Sequence, residues 1–374
     1  MNRKVIVAGH ICLDITPVFS GKKVTHLEEI LTPGKLVQVE NADVHTGGAV
    51  ANTGLAMKIL GADVTLMGKI GKDAFGEMIL NILKDYHVES GMIISDELST
   101  SYSVVLAVPG IDRIFLHNPG ANHLFKSSDI PESALKNVSL FHFGYPPLMK
   151  SMYENDGMEL VLLMKRMKGK NISTSMDMAA VDAESEASKV DWKAILERVI
   201  PYVDFFVPSV EELCFMLDPE RFKQWNEQAN GSDITDILDI ENDVKPLADQ
   251  CMEMGAKVLL IKCGAKGMYY RTAESAKINL IGGNLPLKIE EWADKEGFEK
   301  SFIPEKIVSG TGAGDTSIAA FLTALIDGSS LEEAISLAAA TGASCVAAYD
   351  ALSGLKSLDA LRNKIKQGWK KNED

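Results

Sequence analysis

Short β-rich runs alternate with helical patterns along this chain, and that alternation limits its fold more than any other feature of the sequence. Residues 5–11, 64–69, 140–143, 172–176, 205–207 and 258–262 are such β-rich runs and read as strands. Residues 49–60, 75–85, 158–167, 211–216, 244–254, 316–326 and 331–348 carry helical patterns. Strands separated by helices pair in parallel through crossover connections, so an α/β protein with a doubly wound, mainly parallel sheet flanked by helices is expected. Two stretches, about 14–45 and 100–118, break the alternation. In the second, Tyr102 to Val108 and Arg113 to Leu116 flank the turn residues Pro109-Gly110-Ile111-Asp112, a hairpin pattern that suits a small separate sheet or an edge of the main one. The polar segment 218–243 has no sustained apolar period and reads as a surface excursion. With no internal repeat, the 374 residues read as one large domain, 1–374, with a small appendage.

Near the end of the series, Gly312-Ala313-Gly314-Asp315 runs straight into the apolar helical pattern 316–326. Glycines let the backbone turn several N–H groups toward one point, and a helix start adds unpaired N–H groups and the positive end of its dipole. Such a place binds anions. An aspartate in the first turn is placed to take a proton from an attacking hydroxyl while the amides neutralise phosphate charge, which suggests phosphoryl transfer to an alcohol. The plainer reading is a helix start that Asp315 only helps to cap. A dinucleotide fingerprint would lie after the first strand with a third glycine, no Gly-Lys pair is followed by Ser or Thr as a P-loop requires, and there is no G-x-S-x-G elbow. A second glycine element, Gly47-Gly48-Ala49-Val50-Ala51-Asn52, opens another helix whose buried face is marked by Ala51, Leu55 and Ile59, with Asn52 beside that stripe. Downstream, Gly61 to Gly68 reads as a strand and Gly71 to Gly76 as a turn into a further helix.

The net charge of −14 opposes long-range attraction to nucleic acid or an anionic membrane, so neither partner is expected. Five scattered cysteines with no C-x-x-C suit reduced thiols in a cytoplasmic protein better than a disulfide framework or zinc site. The apolar run after the basic start Met1-Asn2-Arg3-Lys4 is broken by His10 and Asp14, too early for a signal peptide, and no run approaches the ~20 apolar residues of a membrane span.

Taken in this order and at this separation, the two glycine elements resemble the N-terminal (47–76) and C-terminal (308–322) signatures of ribokinase-like (PfkB) carbohydrate kinases, and the resemblance covers nearly the whole chain. It implies a ribokinase-like fold in which the two irregular stretches form a small β lid over the sugar site, with ATP and Mg²⁺ as cofactors and a homodimer as a plausible assembly. Residue by residue, it implies Asp315 as base with Gly312, Ala313 and Gly314 as anion hole, and Asp14, Gly47, Gly48 and Asn52 on the sugar. An ionised carboxylate suits a vicinal diol, although Asp at a strand end is also a common turn former. Gly120-Ala121-Asn122 resembles a further recurrent element. Glu212, in Pro208-Ser209-Val210-Glu211-Glu212, matches a glutamate acting through water on Mg²⁺, and Ser209, Lys262, Gly264, Gly267 and Thr311 fall on nucleotide-binding positions. Standing alone, Glu212 would be a solvated helix-face acid and 262–267 a turn between strands. The lid residue Arg113 is a candidate for substrate or phosphate, or a solvated charge.

Three departures stand out. Ala49 replaces a lysine common after the paired glycines, which disfavours a phosphosugar substrate, and Ser209 replaces an asparagine. Ser309 replaces an aspartate associated with a monovalent-cation site, which puts that site in doubt. The resulting expectation is an ATP-dependent kinase for a small neutral sugar, polyol or sugar acid. A nucleoside kinase of the same fold and a pseudokinase that only binds sugar or nucleotide remain the alternatives.

Overall fold

The structure, a computed structural model, describes residues 3–21, 23–111 and 114–372, so Arg113 lies outside the described residues. In the strand Lys4–Gly9, Val5 and Val7 pack into one hydrophobic core and Ile6 and Ala8 into another. A strand apolar on both faces must be covered on both, which places it inside a parallel sheet. Among the described residues that sheet has eight strands, in the order Glu296–Lys300, Gly267–Thr272, Val258–Cys263, Phe205–Phe206, Ser173–Asp177, Val138–Gly144, Lys4–Gly9 and Asp63–Met67. From Val258–Cys263 onward all neighbours are parallel. The helices Ala49–Ile59, Ala313–Asp327 and Leu331–Cys345 cover one face, and Lys150–Gly169, Trp192–Val199, Val210–Leu217 and Lys245–Glu253 the other.

The hairpin does not edge this sheet. Tyr102–Leu106 and Ile114–Asn118 join Cys12–Pro17 and Ala42–Gly47 in a separate four-stranded sheet, with Tyr102–Leu106 parallel to Cys12–Pro17 and the outer pairs antiparallel. The expected strand 5–11 is therefore too long, because pairing in the main sheet stops at Gly9 and the chain enters the small sheet at Cys12. Between them, the fully buried Asn122 accepts from Ile11 N at 3.2 Å and donates to Ile11 O at 2.8 Å, so this loop asparagine pins the junction of the two sheets.

Other boundaries moved for identifiable reasons. The helix around 158–167 extends over Lys150–Gly169 through an irregular turn at 154–157. The helix read as 331–348 ends at Cys345. The surface excursion 218–243 contains the helix Pro219–Ala229, started by Asp218, whose side chain accepts from Arg221 N. Only Trp225 and Ala229 of that helix are buried, too few to show a period in a polar segment. The antiparallel pair Gly267–Thr272 and Glu296–Lys300 and the helix Leu358–Lys366 extend the expected set. Among the described residues no helix is long and apolar enough to cross a membrane.

Candidate active site

The helix Ala313–Asp327 begins at Gly312, whose φ of +74° lies in the left-handed region and whose missing Cβ would fall 2.2 Å from the Cβ of Ala351. Only glycine meets both demands. One turn on, Asp315 is 5% exposed and surrounded by donors. Asn52 Nδ2 lies 3.0 Å from one carboxylate oxygen and Thr53 Oγ1 3.2 Å from the other, and the Tyr145 hydroxyl sits 2.8 and 2.7 Å from the two. Burial raises the Asp315 carboxyl above its ordinary value, against the pull of Tyr145, Lys262, Asn52 and Thr53 toward the ionised form. Tyr145 adopts a left-handed φ of 68°, a conformation that costs a non-glycine residue about 1–3 kcal/mol and here aims its hydroxyl at Asp315. Burial, then the Asp315 charge, pushes the Tyr145 phenol well above its usual value, so it remains a donor.

This arrangement makes a signed prediction. A base must be ionised, so kcat/KM should fall as pH drops through the Asp315 pKa, on a limb lying above the ordinary aspartate range. Tyr145→Phe removes a donor that favours the carboxylate and should move that limb to still higher pH. A pH–rate profile checks this, and a limb that stays in place removes Tyr145 from the role.

Two cavities meet beside these groups. One, of about 830 Å³, is lined by Ser209, Glu212, Lys262, Gly264 and Gly267 together with Gly312, Ala313, Gly314 and Asp315. The other, of about 840 Å³, is lined by His10, Asp14, Gly48, Ser103, Phe115 and His117 among others, so the small sheet forms one of its walls. Tyr145 and Glu212 line both.

In the second cavity, burial raises the Asp14 carboxyl, and Cys12 Sγ lies 3.3 Å from its Oδ1. Gly47 stands behind Asp14, where an added Cβ would fall 2.1 Å from Asp14 Oδ2, while Gly48 lines the cavity itself. Asn52, expected on the sugar, directs its amide to Asp315. His10 is 2% exposed and neither ring nitrogen has a hydrogen-bond partner among the described residues. Burial lowers its pKa to about 3, so it is a neutral imidazole offering one donor and one acceptor.

On the first cavity, Ser209 and Glu212 form a capping box. Glu212 N donates to Ser209 Oγ at 3.2 Å, and Ser209 N donates to Glu212 Oε2 at 2.7 Å. The serine that replaces asparagine is thus used to start a helix and to fix the glutamate. Among the described residues no three His, Cys, Asp or Glu side chains gather to hold a metal by themselves. The donor set suits Mg²⁺, which binds through one or two carboxylates, water and substrate phosphates rather than an all-protein cage. Lys262 extends from the strand Val258–Cys263 to Asp177, with Nζ 2.7 Å from Oδ1, and its side chain runs past Gly314. Thr311 is exposed and donates its amide to Ser309 Oγ at 3.2 Å.

Ser309 bears on cation dependence. Asp350, in the C-terminal segment that the bond from Ser309 N to Val346 O brings alongside Ser309, has one carboxylate oxygen on Leu352 N and Ser353 N, at 2.8 and 2.7 Å, and the other on the Ser353 hydroxyl. Replacing tetramethylammonium by K⁺ at constant ionic strength should therefore raise initial rates less than about tenfold, or ~1.4 kcal/mol of barrier. A larger rise would show an effective cation site despite Ser309.

A family model described as the pfkB family of carbohydrate kinases matches residues 3–357. The chain belongs to that family. It is 27% identical to a probable fructokinase-5 of Arabidopsis thaliana, over 95% of each chain. The fold resembles an Arabidopsis thaliana ribokinase complexed with ribose and ATP, at a TM-score of 0.71 and 19% identity, covering 98% of this chain and 99% of that one. A putative ribokinase II from E. coli in complex with ATP and Mg²⁺ gives a TM-score of 0.68 at 20% identity, covering 98% and 99%. This pfkB carbohydrate kinase is accordingly a phosphotransferase with an alcohol group as acceptor.

Sequence reasoning missed Tyr145, Asp177 and His10 in the pfkB kinase site. Tyr145 lies in an ordinary-looking Gly-Tyr-Pro-Pro stretch, and Asp177 ends a strand whose residues are otherwise uncharged. Each sits at the C-terminal end of a parallel strand, where open α/β sheets place their ligands, and that topological rule is the signal that could have found them.

Proposed function

We propose that this kinase transfers the γ-phosphoryl group of ATP to a hydroxyl of a small neutral sugar or polyol, with Asp315 as the base. The observation that carries the reading is the place of Asp315, a buried carboxylate at the start of a glycine-opened helix, hydrogen-bonded to the tyrosine that lines both cavities. An acceptor hydroxyl beside Asp315 gives its proton to the carboxylate as its oxygen attacks phosphorus, and ADP leaves. The Gly312 and Gly314 amides at the helix start stabilise charge on the transferring group, whereas the Ala313 amide, expected beside them, donates to Gly310 O at 3.3 Å and would have to leave that carbonyl to join them. Glu212, held by its capping box, would hold Mg²⁺ through water, and the ion would supply neutralisation of phosphate charge there. Ser209, Gly264, Gly267 and Thr311 belong to the nucleotide side of the site, and Asp14 and Gly48 to the acceptor side.

The charge of the acceptor cavity favours a neutral substrate over a sugar acid. Its described lining holds Asp14, Asp182, Glu186 and Glu212 but neither lysine nor arginine. Neutral His10 pairs with a hydroxyl, which both donates and accepts. The small sheet acts as a lid that excludes water, since an open site would transfer phosphate to water. A panel of neutral sugars, polyols, sugar acids and nucleosides, each assayed for ADP release, tests the reading. Selective release with a neutral polyhydroxyl compound supports it, nucleoside turnover alone would make the chain a nucleoside kinase, and silence with every acceptor would leave a pseudokinase.

A further inference from the structure

A lysine–aspartate pair lies in the wall of the nucleotide cavity. Lys262 Nζ is 2.7 Å from Asp177 Oδ1, with side-chain exposures of 14% and 1%. Packing does not account for it, because burying an ion pair costs several kcal/mol per ion in desolvation, and apolar replacements are often as stable or more so. The electrostatic surroundings are unequal: Asp177, Glu212 and Asp315 all act on this one ammonium. Its remaining exposure is toward the cavity that Gly312 and Gly314 also line, and a Cβ built on Gly314 would fall 3.7 Å from Nζ. The ammonium therefore stands beside the helix start to which the kinase reading assigns the phosphate. Charge in phosphoryl transfer spreads over the three equatorial oxygens, and a cation fixed there in advance stabilises it without reorganisation.

Resting on the kinase reading above, we propose that Lys262 is the protein cation that contacts the transferring γ-phosphoryl group, and that Asp177 is the positioning residue that holds its ammonium in place. Lys262 keeps its protons throughout. The acceptor proton goes to Asp315, the new O–P bond forms, and the bond to the bridging oxygen of ADP breaks. Among the described residues that line this cavity no other lysine or arginine is present, so without Lys262 the γ-phosphate would lie beside Asp177, Glu212 and Asp315 with no cation from that lining.

The test uses the full chain and two probes, β,γ-imido-ATP and ADP, each with Mg²⁺. Lys262→Met should weaken imido-ATP binding by at least about tenfold and leave ADP binding within about threefold, because only the former carries a γ-phosphate, while turnover of an acceptor found in the panel falls at least ~10²-fold. Lys262→Arg should recover part of the imido-ATP preference. Since the single variant leaves Asp177 buried without its partner, Lys262→Met/Asp177→Asn is measured alongside it. If the pair is only structural, the neutral double variant folds and regains more than about a tenth of wild-type turnover, which overturns the proposal. The proposal predicts a folded double variant that is as slow as Lys262→Met and equally indifferent to the γ-phosphate. Equal weakening of both nucleotides in that folded variant also overturns it. If the wild type phosphorylates no acceptor, the kinase reading fails, and the imido-ATP/ADP contrast still decides whether Lys262 meets the γ-phosphate.

Discussion

Asp315→Asn should lower turnover by at least ~10²-fold, the scale of a lost, positioned base, while leaving the fold and ATP binding nearly unchanged. Asparagine has the shape of aspartate and keeps one oxygen to accept from Tyr145 or Thr53, whose hydroxyls now reach the carboxylate. It also removes a charge that burial disfavours, so stability should not fall for want of that charge's solvation. The measurement combines kcat, a thermal melt and calorimetric titration with ATP. Retention of more than about a tenth of wild-type turnover would take Asp315 out of the base role.

Asp14→Ala should act on the other substrate. Two charge-assisted hydrogen bonds to acceptor hydroxyls would be lost, on the order of 2–4 kcal/mol, or roughly 30- to 1000-fold in affinity. ATP binding should hardly change, because Asp14 stands on the small sheet and lines only the acceptor cavity. Calorimetry with an accepted sugar separates the two effects. An unaltered sugar affinity in a folded variant would place the acceptor elsewhere.

What was legible in the sequence was local. Strand and helix patterns are set by near neighbours, and the Gly312 to Asp315 element announces itself because turn, helix start and carboxylate lie within four consecutive residues. The main sheet and the hairpin followed from such patterns. Whether the hairpin joined the main sheet or formed another was not written in its own residues, because that depends on where the first strand turns away after Gly9. The site was illegible where its contacts are distant. Tyr145 meets Asp315 across 170 residues and Asn52 meets it across 263, and no spacing rule spans such separations. The use of Ser209 is readable in principle, since Ser-x-x-Glu at a helix start is the capping-box pattern, although the family resemblance points to it only as a nucleotide-binding position.

The two-residue passage between the sheets bears on how such a protein can change its trade. Asp14, Ser103, Phe115 and His117 are carried by the small sheet, whereas Asp177 and Lys262 sit on strands of the main sheet and Glu212 and Asp315 on helices that flank it. The joint is held by the side-chain amide of Asn122, which accepts from Ile11 N and donates to Ile11 O, and Asn122 does not line the cavity. One wall of the acceptor cavity is therefore carried on lengths of chain separate from those that carry Asp177, Lys262, Glu212 and Asp315. On the proposed reading, changes in strands 12–17, 42–47, 102–106 and 114–118 would alter that wall, and with it the acceptor, without moving the residues assigned to phosphoryl transfer.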